Sequence, residues 1–194
     1  MEAAIEQNKV TDEHRPKESM IDLEKEKASI LAKYRQLLRA AKPVLKDNDA
    51  KLIKKAFEIS MEAHKDMRRK SGEPYIFHPL EVAQICVEEI GLGATSVICA
   101  LLHDVVEDTD MTLKDIERDF GKKVSQIIDG LTKIGGSFEQ GTSGQAENFR
   151  KMLLTLSEDV RVILIKLADR THNMRTLGSM ARNSQLKIDR KSVV

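Results

Sequence analysis

Aromatic residues are scarce in this sequence of 194 residues, which has no tryptophan, two tyrosines and an aromatic content of 4%. β-Sandwiches and base-stacking surfaces rely on aromatic and β-branched side chains, so both are disfavoured. The 32 Lys and Arg residues nearly balance the 31 Asp and Glu residues, and the formal net charge is +1. The chain therefore has no overall attraction to DNA or to an anionic membrane, and a charged ligand must be bound by local groups.

Cysteines and long apolar runs are also few. The two cysteines, Cys86 and Cys99, lie in apolar segments, which indicates buried thiols in a reducing compartment rather than a disulfide framework. No run approaches the roughly 18 apolar residues of a membrane span, and the first twenty residues lack the apolar core of a secretory signal. We therefore expect a cytoplasmic protein with no membrane partner.

Apolar residues recur at helical spacing along most of the chain, which predicts an all-α fold. Residues 1–18 are polar and predict a flexible arm, whereas residues 19–194 predict one helical domain. Residues 94–108 predict a buried central helix, because they are almost wholly apolar up to His103. Residues 160–166 have strand propensity, but they continue into a polar helical face and predict a helix.

Turn-forming and capping residues set the expected helix ends. The expected helices run from Ser19 to Pro43, from Asp47–Asp49 to Ser71–Gly72, from Pro79 to Gly91, from Thr112 to Gly121, and over 123–134, 146–157 and 159–177. The segment 135–144 holds four of the ten glycines and predicts a mobile loop. This loop is either a lid over a site or a long connection, and we favour the lid.

Four polar residues end the apolar segment 94–108: His103, Asp104, Glu107 and Asp108. Three carboxylates this close repel one another, and burying them is costly unless a cation lies among them. A divalent metal ion is the simplest such cation. The remaining ligands must come from other segments of the chain.

Two candidates for these ligands are His78, which precedes a proline, and Asp169, which begins a polar stripe on an otherwise apolar helix. Asn173 and Thr176 continue that stripe at helical spacing. Two imidazoles and two carboxylates form a mixed nitrogen and oxygen set that suits manganese, iron or zinc. Taken alone, Asp169 is better explained as a surface or capping carboxylate paired with Arg170 or Arg175.

Three segments, in this order and spacing, resemble the metal-dependent HD hydrolase domain of the RelA/SpoT homologues. They are RRKSGEPYIFHP at 68–79, LLHDVVEDTDMTL at 101–113 and KLADRTHNMRTL at 166–177. The resemblance extends from about Ala50 to Thr176 and implies an HD-domain helical bundle. One departure is Thr171, a position at which leucine is commoner in the family.

The resemblance also implies an activity and a site. It implies a manganese(II)-dependent hydrolase that removes the 3′-pyrophosphate of the alarmones ppGpp and pppGpp, leaving GDP or GTP, and so ends the stringent response. It implies that Glu107 and Asp108 position or deprotonate the attacking water. The implied metal ligands are His78, His103, Asp104 and Asp169, and the implied nucleotide-binding residues are Arg69, Lys70, Ser71, Asn173 and Thr176.

Several readings stay open beside this one. The chain could be a catalytically silent module that senses ppGpp, or an HD phosphohydrolase of another nucleotide. We expect His64 and His172 to be structural, because neither matches a ligand position of the family. Arg68, Arg69 and Lys70 could also form the basic last turn of a helix.

The chain ends at Val194, soon after the third motif. In the RelA/SpoT family the hydrolase is usually the N-terminal part of a longer protein with synthetase and regulatory domains. We therefore expect an excised or truncated domain whose partners in the parent chain are those domains.

Overall fold

The computed structural model describes residues 17–137, 159–179 and Gln185. Its α-helices are, in chain order, α1 (Lys17–Ala41), α2 (Asp49–Ala63), α3 (Phe77–Glu88), α4 (Ala94–Leu102), α5 (Val105–Asp108), α6 (Leu113–Phe120), α7 (Lys122–Ser137) and α8 (Arg161–Arg175). Short 3-10 helices cover Lys42–Val44 and Leu177–Ser179. Across these residues the β-structure is a single bridge between Arg68 and Pro74, so the all-α prediction is confirmed.

Helix α4 forms the centre of the bundle, as the apolar segment predicts. Every residue of α4 except Thr95 is buried, and the helix packs against α2, α3, α7 and α8. Helix α3 packs in turn against α1 and α8. Because α3, α4 and α8 meet in the core, residues at their polar positions come together inside the bundle.

The central helix is shorter than the sequence predicts. Residues 94–108 were expected to form one helix, but α4 ends at Leu102 and α5 begins at Val105. His103 and Asp104 form the turn between them, and the His103 ring donates from Nδ1 to the Ala100 carbonyl at 2.8 Å. The prediction of a continuous helix is therefore wrong. Because the helix breaks here, His103 and Asp104 lie at the junction of two helices.

The second helix also ends early. It was expected to reach Ser71–Gly72, but α2 ends at Ala63. The following segment turns back on itself, because the Arg69 amide bonds to the Glu73 carbonyl and Gly72 takes a positive φ of 89° that favours glycine. Arg68, Arg69 and Lys70 are thus in a turn, and the idea that they form the last turn of a helix is wrong.

The other boundaries agree with the sequence to within a few residues. Thr112 caps α6 in a capping box with Asp115, as predicted. Helix α3 begins at Phe77, two residues before Pro79, and α7 continues through Gly135 and Gly136, where the loop 135–144 was expected to begin. The rest of that loop, the helix expected over 146–157 and nearly all of the arm over 1–18 fall outside the described residues.

Within the segment 159–177 the structure forms α8 over Arg161–Arg175, so the strand propensity of residues 160–166 is overridden by packing against α3. Cys86 and Cys99 are both buried free thiols, as expected. Of the helices that the structure describes, none has the length and apolar character that crossing a bilayer requires.

The packing of α4 predicts a clear difference between two leucines. Leu101 is fully buried, so Leu101→Ala should lower the free energy of unfolding by about 2–5 kcal/mol through lost contacts and a residual cavity. Leu167 is 54% exposed, so Leu167→Ala should change it by about 0.5 kcal/mol or less. Urea unfolding of both variants measures these values, and equal losses would contradict the placement of α4 in the core.

Candidate active site

Two helices and one turn position the candidate metal ligands. His78 lies in the first turn of α3, His103 and Asp104 form the turn between α4 and α5, and Asp169 lies in α8. His78, His103 and Asp169 are buried, and Asp104 is half-buried. The structure therefore brings together four residues that are up to 91 positions apart in the sequence, counting from 78 to 169.

The polar atoms of these residues converge. Nε2 of His103 lies 3.1 Å from Oδ2 of Asp104, and Nε2 of His78 lies 3.3 Å from Oδ1 of Asp169 and 3.8 Å from Oδ2 of Asp104. Ligand atoms of His78, His103 and Asp169 all lie within 4.8 Å of one another, close enough for the three residues to hold one metal ion. Asp104 adjoins it.

The opposite ring nitrogens fix the tautomers of the two histidines. Nδ1 of His103 must carry a proton, because it donates to the Ala100 carbonyl at 2.8 Å. Arg69 can only donate, so its 3.1 Å contact makes Nδ1 of His172 an acceptor, and the single lone pair of that nitrogen is shared between Arg69 and Nδ1 of His78, which lies 2.8 Å away. In the neutral form of each ring, Nε2 therefore presents a lone pair to the cluster, as metal-binding histidines do.

A cation satisfies this arrangement. Nε2 of His103 is buried and, in the neutral ring, finds no hydrogen-bond donor among the described residues, because the groups around it are carboxylate oxygens and another imidazole. Acceptors facing acceptors repel one another unless a positive charge lies between them. The donor set of two imidazoles and two carboxylates fits a divalent first-row metal.

The pKa values show how strongly these groups are coupled. Burial alone would raise the pKa of both Asp104 and Asp169, but the neighbouring histidines lower it, and both carboxyls end below their usual range. Burial alone would lower the pKa of His103, but Asp104 raises it to about 9. In the metal-free chain a proton on His103 thus takes the place of a cation.

A further layer of side chains orients the carboxylates. The Tyr75 hydroxyl donates to Oδ2 of Asp104 at 2.7 Å, and Lys166 lies 3.2 Å from Oδ2 of Asp169. Burial, followed by the charge of Asp104, raises the pKa of Tyr75, so its hydroxyl remains a donor. Neither Tyr75 nor Lys166 carries a sequence signal for this role, although each lies within a motif segment, Lys166 three residues before Asp169 on α8.

Three of the residues predicted to bind the nucleotide, Arg69, Asn173 and Thr176, are in contact with one another. Arg69 donates to Oδ1 of Asn173 at 2.8 Å and lies 3.5 Å from Oγ1 of Thr176, while the Asn173 amide donates to Asp169 at 2.7 Å. These residues thus form one network that reaches the cluster. Lys70 and Ser71 are exposed in the turn beside Arg69.

The two predicted catalytic carboxylates lie on α5, next to the cluster and open to solvent. Partial burial raises the pKa of Glu107, while Lys166 opposes the shift. Oδ2 of Asp108 lies 3.5 Å from Nε2 of His64. The two carboxylates therefore have different surroundings although they are adjacent.

His64 and His172 lie at the edge of the site, where sequence analysis saw only structural residues. His172 contacts His78 and Arg69, and burial together with these neighbours lowers the pKa of its imidazole to about 3. His64 contacts Asp108. Their spacing offered no signal for this, because the contacts depend on where α2 ends and how α8 faces α3. That neither binds a metal ion stays a prediction.

The comparisons with known proteins define the family. The family model described as "HD domain" matches residues 56–193, which include all four candidate ligands. An HD domain implies a divalent metal, and the cluster of His78, His103 and Asp169 is a fitting place for it. The chain belongs to the HD domain family.

Several curated proteins are similar to most of the chain. The bifunctional (p)ppGpp synthase/hydrolase SpoT of Escherichia coli K12 is 43% identical over 161 residues, 82% of this chain and 23% of that protein. A guanosine-3′,5′-bis(diphosphate) 3′-pyrophosphohydrolase of Vibrio cholerae is 41% identical over 161 residues, with the same coverage of 82% and 23%. A GTP pyrophosphokinase of Myxococcus xanthus is 46% identical over 152 residues, 76% of this chain and 20% of that protein. The chain thus spans only 20–23% of the length of these relatives.

One solved structure is similar in fold as well as sequence. It is described as a metazoan ortholog of SpoT that hydrolyzes ppGpp and plays a role in starvation responses. It is 26% identical to this chain, with a TM-score of 0.55, and the match covers 72% of this chain and 82% of that one.

The raised pKa of His103 predicts that a divalent metal ion must displace a proton. Because the metal-free pKa is about 9, binding near neutral pH should release about one proton per metal ion, and metal affinity should rise with pH up to that value. Calorimetric titration with Mn²⁺ in two buffers of different ionisation enthalpy measures the release. Identical apparent enthalpies in both buffers at neutral pH would contradict the prediction, and above the pKa of His103 the difference should vanish.

Proposed function

We propose that this chain hydrolyses the 3′-pyrophosphate of ppGpp and pppGpp, giving GDP or GTP and pyrophosphate. The observation that supports this most is the convergence of all three motif segments, 68–79, 101–113 and 166–177, on one buried cluster of acceptors. The names of similar proteins support the same substrate. In this proposal the chain acts in the cytoplasm and ends the stringent response.

The metal in this proposal is manganese(II), held by His78, His103, Asp104 and Asp169. The two histidines present Nε2 lone pairs, and the two carboxyls have pKa values low enough to be ionised at neutral pH. When bound, a divalent ion of this kind polarises a phosphoryl oxygen and lowers the pKa of water. Tyr75 and Asn173 hold the carboxylates by donating to Asp104 and Asp169.

The proton chemistry is assigned to α5. Glu107 and Asp108 are exposed beside the cluster, where one of them takes a proton from the attacking water and the other orients it. Attack at the 3′-phosphorus forms a new O–P bond and breaks the bond to the 3′-oxygen, which leaves protonated. Thus one water molecule is added in total, and no other reactant is needed.

The nucleotide is assigned to the network around Arg69. The guanidinium of Arg69 is planar and suits a base or a bidentate phosphate, and Asn173 and Thr176 already contact it. Lys70 supplies a second positive charge and Ser71 a hydroxyl from the exposed turn. In a longer parent chain, synthetase and regulatory domains would be the partners of this domain, as the length of the relatives suggests.

The function is tested by stripping the chain of metal, restoring Mn²⁺ or Mg²⁺, and following ppGpp, dGTP and cyclic nucleotides by chromatography. Mn²⁺-dependent release of pyrophosphate from ppGpp alone is the expected result. Binding of ppGpp without turnover would instead favour a sensing module, and turnover of dGTP or a cyclic nucleotide but not of ppGpp would favour another HD phosphohydrolase.

Asp104→Ala should abolish metal binding and turnover together. Asp104 lies 3.1 Å from Nε2 of His103, and without its carboxylate the two histidines lose a charged co-ligand. Asp110→Ala is the matched control, since Asp110 is exposed after α5. Bound manganese and ppGpp hydrolysis are measured in both variants. Full activity in Asp104→Ala would refute the ligand assignment.

Glu107→Gln separates the roles of the two carboxylates. If Glu107 is the general base, the variant should keep its metal but hydrolyse ppGpp more slowly by a factor on the order of 100 to 10,000. The measurement is kcat beside the bound-metal content. A rate near that of the native chain would assign proton removal to Asp108.

A further inference from the structure

His64 is a buried histidine whose tautomer is fixed by its own helix. It follows the last turn of α2 and is only 2% exposed. Its Nδ1 lies 2.8 Å from the carbonyl oxygen of Ser60, and since a carbonyl can only accept, Nδ1 carries the proton. The neutral ring therefore presents a lone pair at Nε2.

The Nε2 atom of His64 faces Asp108. It lies 3.5 Å from Oδ2 of Asp108 and is fully buried without a hydrogen-bond partner in the part of the chain that the structure describes. A lone pair that faces a carboxylate oxygen is unfavourable, whereas one proton between the two atoms makes the contact a charge-assisted hydrogen bond. The geometry therefore places Nε2 of His64 where it can accept a proton carried by Oδ2 of Asp108.

The surroundings of His64 keep this geometry in place. The Tyr75 ring packs against the imidazole with centroids 4.8 Å apart, and the Tyr75 hydroxyl is already engaged by Asp104. On its own helix His64 is held by Ser60, and from α5 it is faced by Asp108. The Asp108 side chain is 32% exposed, so its carboxyl reaches both the imidazole and solvent.

We propose that His64 is a positioning residue for the hydrolysis. It acts through Asp108, because its Nε2 shares the proton that the Asp108 carboxylate takes from the attacking water. This inference rests on the proposed function and deepens it, because it gives Asp108 a proton partner and makes it the proton acceptor, leaving Glu107 to orient the water.

The proposed proton path balances. An O–H bond of the attacking water breaks as its oxygen bonds to the 3′-phosphorus, and the proton moves to Oδ2 of Asp108, where Nε2 of His64 shares it. The bond from phosphorus to the 3′-oxygen breaks, and its electron pair stays on that oxygen. The Asp108 carboxyl then returns the proton to the 3′-oxygen, and the pair regains its starting state.

A double-mutant cycle tests the proposal. Glutamine can replace part of the volume and polarity of His64 but cannot share a proton with Asp108, so His64→Gln should lower kcat about 100-fold with KM unchanged. Once Asp108→Asn has removed the partner, adding His64→Gln should lower kcat further by no more than about twofold. Losses that multiply in the double variant, or a native kcat in His64→Gln, would overturn the proposal.

Two controls distinguish this role from a structural one. Met61 is also near the end of α2 but is 40% exposed, so Met61→Ala should keep kcat within about twofold of the native value. Manganese affinity should be unchanged in His64→Gln, because His64 contacts Asp108 rather than the ligand set. A tenfold loss of metal affinity would show that His64 acts through the metal site, against the proposal.

The nitrogen chemical shifts of His64 test the contact in the native chain, whether or not His64→Gln folds. Long-range ¹H–¹⁵N spectra should show a protonated Nδ1, and the Nε2 shift should move in Asp108→Asn but not in Glu107→Gln. If the Nε2 chemical shift of His64 is the same in Asp108→Asn as in the native chain, the inference is overturned. Absence of ppGpp turnover in the native chain would count against the proposed function instead.

Discussion

The site depends on one constraint, the burial of hydrogen-bond acceptors against one another. Two imidazole Nε2 atoms and two carboxylates meet where α3, α8 and the turn after α4 converge, and Nε2 of His103 has no hydrogen-bond partner among the described residues. In a low-dielectric interior such an arrangement is unstable unless a positive charge lies within it. A proton on His103 or a divalent metal ion supplies that charge. Metal binding at this cluster is therefore coupled to the protonation of His103.

The outer layer of side chains follows from the same constraint. The Ala100 carbonyl and His172 accept from the Nδ1 atoms of His103 and His78 and so direct both lone pairs inward. Tyr75 and Asn173 donate to the two carboxylates. Because Asn173 and His172 also accept from Arg69, the network that orients the ligands is continuous with the side chain proposed to bind nucleotide.

Sequence reasoning found the helices and the central residues because periodicity and motif spacing are local signals. It placed the cap at Thr112, the buried run that became α4, and the pairing of His78 and Asp169 with the His103–Asp104 doublet. It missed the break after Leu102 and the early end of α2, since both depend on tertiary contacts that propensity does not contain. For the same reason Tyr75, Lys166, His64 and His172 received no site role, because their partners lie on other helices.

The most direct test of this account is pulsed electron paramagnetic resonance of Mn²⁺ bound to the chain, with the histidines labelled with ¹⁵N. If the converging acceptors hold the metal, the spectrum should contain hyperfine couplings from two imidazole nitrogens, those of His78 and His103. Each of His78→Ala and His103→Ala should remove one of them if the metal is retained. Bound Mn²⁺ with no histidine coupling would contradict the central claim that this buried cluster is the metal site.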